Sequence, residues 1–155
     1  MKLSSIPCLL LLAAFSGPTA LAQVKSAESI LKDIAVEGRV SFPQNSLPFI
    51  IDSTELAGAE AKTQVAEIAK VLKSQTMANL SFLITGFTCD LGSESHNLDL
   101  SQRRAAAIKA RLVALGVPAG RLNTSGKGEA SPALPNSSEE NRRQNRRVVI
   151  SPNKG

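Results

Sequence analysis

Tryptophan and tyrosine are absent from this 155-residue chain, and phenylalanine occurs five times. Flat stacking on bases or sugar rings needs aromatic faces, so the chain is poorly equipped to grip by stacking. Its tools are charges and hydrogen bonds. Histidine occurs once, at His96, and cysteine twice, at Cys8 and Cys89. A lone His and a lone Cys cannot complete a tetrahedral metal shell without scattered carboxylates. A thiolate–imidazole pair between Cys89 and His96 would need an orienting third residue that the spacing does not supply. The sequence therefore points to no metal, no cofactor and no enzyme. Internal repeats and low-complexity tracts are absent as well. What is present is 43% hydrophobic and 20% charged residues, the balance of one ordinary globular domain. Eighteen basic residues against thirteen acidic ones give a formal charge of +5, which favours anionic partners over cationic ones.

The first 22 residues read as an address. Lys2 supplies the charged start, Ile6 to Phe15 the apolar run, and Ala20-Leu21-Ala22 the small-x-small pattern of a secretory cleavage site. The run is too short for a stable transmembrane helix, although an uncleaved anchor is the alternative. Cleavage after Ala22 removes Cys8 and leaves one thiol, Cys89, so the exported chain must be stable without an internal disulfide. Residues 23–35 are expected as a polar lead-in segment with one loose helix, 36–151 as the domain and 152–155 as a tail, with no transmembrane span after cleavage.

Along the domain, Val36 to Phe42 alternates apolar and polar residues, the period of a half-buried strand. Ala61, Val65, Ile68 and Leu72 recur at helical spacing within 55–75. Leu80 to Phe87 reads as a central strand, Thr88 to His96 as a loop, and Asn97 to Leu115 as a long helix. Ala105, Ile108, Leu112 and Leu115 form that helix's buried stripe, and Gly116-Val117-Pro118 ends it. Arg121 to Glu129 predicts a glycine-punctuated strand. Ser137 with Glu140 predicts a capping box opening a short helix, and Val148-Val149-Ile150 a closing strand. Strands alternating with helices predict an α/β (α+β) fold with two β-α-β crossovers and helices packed on a sheet.

Four groups carry candidate chemistry: the loop Gly86 to Gly92, the helix start Asn97 to Ala105, the turn Gly126 to Glu129, and the basic run Asn141 to Arg147. If the helix includes Asn97, then Asn97, Ser101 and Arg104 share one face, close to the loop at the carboxyl end of the central strand, where clefts form in such folds. Asp90 and Arg104 would then flank one pocket. A guanidinium fork suits a ligand carboxylate and an aspartate suits an ammonium, together a reader of a zwitterionic amino-acid centre. A purely structural Asp–Arg pair is the alternative. The basic run, with Arg142 and Arg146 or Arg143 and Arg147 at four-residue spacing, could instead be a solvated face paired to Glu139 and Glu140. It lacks the aromatics of a nucleic-acid site. Gly126-x-Gly128 reads as a turn.

The pieces Gly86-Phe87-Thr88-Cys89-Asp90-Leu91-Gly92-Ser93, Asn97-x-x-Leu100-Ser101-x-x-Arg104-Ala105, Arg121-Leu122, Gly126-x-Gly128-Glu129-x-x-Pro132 and Asn145-Arg146-Arg147-Val148 occur in this order. Together they resemble the OmpA-like C-terminal domain, shared with peptidoglycan-associated lipoproteins and flagellar motor stators, over about Val36 to Ser151. The resemblance implies a βαβαβ two-layer sandwich, with a mixed sheet and helices on one face. It implies non-catalytic binding of peptidoglycan in the periplasm of Gram-negative bacteria, at the outer membrane or cell wall. A loop Asp and a helix Arg of the family hold the diaminopimelate of the stem peptide. The Arg falls on Arg104, the helix-start Asn on Asn97, and the C-terminal motif on Arg142, Asn145 and Arg146. Asn97 and Thr88 are expected to add hydrogen bonds to the ligand. Two departures stand in the loop. Cys89 occupies the usual place of the Asp, with Asp90 one position on, and Phe87 stands where His is common. The alternative expectation is an envelope protein–protein adaptor of the same fold, its partner another envelope protein, in which Cys89 has weakened or abolished peptidoglycan binding.

Overall fold

The computed structural model describes residues 23–153, so the expected export signal with Cys8 lies outside the described residues. The elements run α1 (Ala27–Glu37), β1 (Val40–Pro43), α2 (Gly58–Lys73), β2 (Phe82–Gly86), α3 (Glu94–Ala114), a single 3-10 turn (Ala119–Arg121), β3 (Leu122–Gly126), α4 (Glu139–Asn145) and β4 (Arg147–Pro152). The four strands form one mixed sheet in the order β1-β4-β2-β3. β2 and β3 are parallel neighbours joined through α3, while β4 runs antiparallel to both β1 and β2. The connection β1-α2-β2 is therefore a split crossover with the last strand inserted between its two strands. The expected α/β sandwich with a mixed sheet is the fold observed.

Alternation explains the layering. Val40 and Phe42, Phe82 and Ile84, Leu122, and Val148 and Ile150 are all buried. They stand in register across the sheet, Val40 opposite Ile150, Ile84 opposite Ile150 and Phe82 opposite Leu122, so the period-two side chains of four strands make one apolar face. Onto it α2 lays Ala61, Val65, Ile68 and Leu72, and α3 lays Ala105, Ile108 and Leu112. Leu115 was expected in that stripe but is exposed. α3 ends at Ala114, and the chain swings away through Gly116 (φ 91°) to bury Val117 instead.

The N-terminal region differs most from expectation. The helix expected in the lead-in is capped and runs through 27–37, taking in Val36, where the strand was expected to begin. The Ser26 hydroxyl accepts from the Ser29 amide, and Gly38, in the left-handed region at φ 68°, donates to the Ile34 carbonyl. Val36 is exposed on this helix, and the strand begins at Val40. Ile30 and Ile34, four apart, enter the core, each contributing about 2 kcal/mol of burial free energy. The start of α1 is tied to α2: the buried Gln64 side chain accepts from the Lys25 amide and donates to the Lys25 carbonyl, and Glu67 accepts from the Ala27 amide.

α4 is opened by Ser138, whose hydroxyl accepts from the Asn141 amide. The expected Ser137–Glu140 box is replaced by a simple Ser138 cap, because the residue three after Ser138 is Asn141, whose side chain bonds Pro135 and Ser137 instead. Among the described residues, no helix is long and apolar enough to cross a membrane.

Candidate functional site

Strand direction brings four chain segments to one end of the sheet. β1, β2 and β3 finish there, at Pro43, Gly86 and Gly126, and β4 starts there at Arg147. The segments just beyond these ends carry Gln44, the Thr88–Asp90 loop, the Gly128–Glu129 turn and Arg146. Two of the strand-end glycines set how closely α3 approaches. A Cβ on Gly86 would stand 2.2 Å from the Ser101 carbonyl oxygen, and one on Gly126 2.5 Å from the Gln102 amide nitrogen. Gly126-x-Gly128 is therefore more than the turn read from sequence. It lets α3 lie directly on the sheet end, where the Ser101 hydroxyl accepts from the Gly128 amide.

That seat directs one face of α3 inward. Asn97, Ser101 and Arg104 are all buried, as their spacing predicted once the helix includes Asn97. α3 begins earlier than expected, at Glu94, because the Ser93 hydroxyl caps it by accepting from the His96 amide. Asn97 is consequently free of capping duty. Its amide group donates to the Cys89 carbonyl at 3.2 Å and to a Glu129 carboxylate oxygen at 2.7 Å, joining the two loops.

Arg104 is 8% exposed. Its Nε donates to the Ser53 carbonyl at 3.0 Å and its Nη2 to the Ile50 carbonyl at 3.4 Å, and the guanidinium lies 4.9 Å from the centre of the Phe49 ring. Among the described residues it has no carboxylate at ion-pair distance. Burial pushes its pKa below the ordinary arginine value, and the nearby Asp52 carboxylate pushes back. A buried cation held only by backbone carbonyls, with donors to spare, is a poised anion site.

These groups face a cleft of about 560 Å³. Thr88, Cys89, Asn97, Arg104 and Arg146 line it, with Gln44 and Leu100 beside them; Ile51, Asp52, Leu91, Gly92, His96, Glu139 and Arg143 complete the wall. Thr88 is buried, and its hydroxyl has no hydrogen-bond partner among the described residues. Arg146 donates from Nε to Gln44, from Nη1 to the Cys89 sulfur at 3.2 Å, and from Nη2 to Glu139. Cys89 and His96 share the cleft without touching each other's role: the thiol faces Arg146, and His96 Nε2 lies 2.8 Å from Asp52 Oδ1.

Three expected site residues are placed differently. Asp90 does not face Arg104 across the pocket. Its carboxylate accepts from Arg142 Nε at 2.8 Å, and neither residue lines the cleft among the described residues. The Arg142 hydrogen bond holds the Asp90 carboxyl below its usual range and lifts the Arg142 guanidinium in turn. Asn145 is fully buried, and its amide is spent on the Leu134 amide and carbonyl and on Asn136. These bonds pin the 131–136 loop. Phe87 lies under Arg147, whose guanidinium carbon is 3.8 Å from the ring centre.

The geometry defines a class, an α/β sandwich with a polar, arginine-lined cleft at one sheet end. Residues 49–146 match the model of the OmpA family, and the chain belongs to that family. It is 39% identical over 93 residues to outer membrane protein A of Bordetella avium, covering 60% of this chain and 45% of that protein. It is 34% identical over 106 residues to the peptidoglycan-associated lipoprotein of Haemophilus influenzae, covering 68% and 67%. The periplasmic domain of Helicobacter pylori MotB superposes with a TM-score of 0.65 at 26% identity, over 74% of each chain. The chain thus spans less than half the length of the Bordetella relative.

Proposed function

We infer that this chain is an exported, non-catalytic cell-envelope module that binds peptidoglycan, holding the dipolar end of a diaminopimelate-containing stem peptide in the cleft. The supporting observation is Arg104, a buried guanidinium lining the cleft with carbonyl partners alone. A ligand carboxylate supplies the missing counter-charge in a fork geometry that only arginine presents. Thr88 contributes the hydroxyl that lacks a partner among the described residues, Asn97 orders the loop, and Arg146 adds a second cation beside Cys89. Asp90 with Arg142 forms a pair outside the cleft that shapes the loop, and Asn145 is scaffold. Kinship to a peptidoglycan-associated lipoprotein favours this ligand class and a periplasmic location at the cell wall or outer membrane.

Co-sedimentation with purified murein sacculi tests the reading. Wild type is retained; Arg104→Ala is released. Since that change also removes the clasp on Ile50 and Ser53, Thr88→Val supplies the second arm. It deletes an unpartnered buried hydroxyl, so thermal stability holds or rises by about 1 kcal/mol while retention falls. Wild type that does not sediment, or Thr88→Val and Arg104→Ala that both sediment fully, overturns the reading.

A further inference from the structure

With the Cys89 sulfur facing Arg146 and Asp90 committed to Arg142, the 86–92 loop places no carboxylate on the cleft wall to meet a ligand ammonium. Two carboxylates from other parts of the chain line the same cleft, Asp52 and Glu139, and Glu139 is bonded to Arg146. Asp52 sits in the turn between Phe49 and Leu56, with its backbone at φ 52°, a left-handed conformation that non-glycine residues seldom adopt. Two contacts hold it there. The Ser53 amide donates to the Ile50 carbonyl at 3.1 Å, closing the turn. Arg104 donates to the carbonyls of Ile50 and Ser53, the residues that bracket Ile51 and Asp52. The residue that meets the ligand carboxylate therefore also fixes the turn carrying the acid, so cation and anion are set against each other by a single side chain. His96, on the first turn of α3, places Nε2 2.8 Å from the Asp52 carboxylate, and both residues line the cleft.

We propose that Asp52 is the specificity-determining acid of this cleft, taking the ammonium of the amino-acid centre whose carboxylate Arg104 holds. Resting on the cell-wall reading above, this assigns the ammonium to the 50–53 turn instead of the 88–90 loop. With Cys89 in the place of the loop acid, discrimination of the amine moves to the 50–53 turn.

The test compares meso-diaminopimelate with pimelate, the same dicarboxylate lacking both amines, by calorimetry or amide-shift titration. Asp52→Asn is the informative variant, because asparagine tolerates the left-handed backbone as well as aspartate does and removes only the charge. Wild type should bind diaminopimelate at least tenfold more tightly than pimelate. Asp52→Asn should bring that ratio close to one, by weakening diaminopimelate and leaving pimelate equal or tighter. Asp90→Asn should keep the wild-type ratio. Loss of the preference in Asp90→Asn, or its survival in Asp52→Asn, overturns the assignment while leaving the cell-wall reading standing. Wild type that binds neither compound overturns both.

Discussion

The two walls of the cleft are built by opposite means. The α3 wall is packed: Asn97, Ser101 and Arg104 are buried and seated on glycines, with hydrogen bonds to backbone carbonyls and amides. The α4 wall is electrostatic. Its helix is seven residues long, Arg143 lies 3.9 Å from Glu139 and 3.8 Å from Glu140, and Arg146 bonds Glu139. Close packing leaves few alternatives, since moving α3 by an ångström would break backbone contacts at once. Half-exposed ion pairs exchange partners with little loss. The α3 wall can thus hold a ligand group in fixed geometry, and the α4 wall can adapt to what the ligand carries beyond that point.

The largest break of this contrast comes at the glycines. Gly86→Ala places a methyl group 2.2 Å from the Ser101 carbonyl oxygen, an atom of backbone that no rotamer change can relieve. We expect a loss of about 3 kcal/mol in urea unfolding, with α3 displaced and sacculus retention lost together. A cost under about 1 kcal/mol would mean that α3 is loosely seated and the packed-wall description is wrong. On the opposite wall, Glu139→Ala removes the partner of both Arg143 and Arg146, yet should cost less than about 1 kcal/mol. That small loss should vanish in high salt, whereas the Gly86→Ala loss should not respond to salt.

The same contrast governs what could be read in the sequence. The inward face of α3 was legible because Asn97, Ser101 and Arg104 obey a local period, and burial follows period. The end of α1 was misplaced because Val36, Gly38, Val40 and Phe42 mimic a strand's alternation, while the helix rests on Ser26, Gly38 and contacts to Gln64 and Glu67 some forty residues away. The direction of Asp90 was not legible, since a carboxylate in a tight loop turns to the nearest guanidinium, and Arg142 lies 52 positions on in the chain. Asp52 gave no signal at all: its place in the cleft depends on Arg104 reaching across 51 positions to the Ser53 carbonyl. The fold and one wall of the cleft follow from periodicity, while pairings across the sheet end require the tertiary structure.

The gentlest probe is the Asp90–Arg142 pair, which lies beside the cleft rather than in it. Its hydrogen bond lowers the Asp90 carboxyl pKa in the folded protein. A carboxyl depressed by folding stabilises the native state above its unfolded pKa, about 3.9 for aspartate, and that contribution disappears as pH falls through the lower folded value. From pH 5 to 8 the pair is constant, so it lends no pH dependence to binding in that range. A carboxyl-carbon titration followed by NMR should place the Asp90 midpoint below that of an ordinary aspartate, and Arg142→Ala should move it back up. Because both partners reach solvent, added salt should move it in the same direction. An Asp90 midpoint at the ordinary value, unmoved by Arg142→Ala, would mean that the carboxylate is not committed to Arg142, and the loop acid would return as a rival to Asp52 for the ligand ammonium.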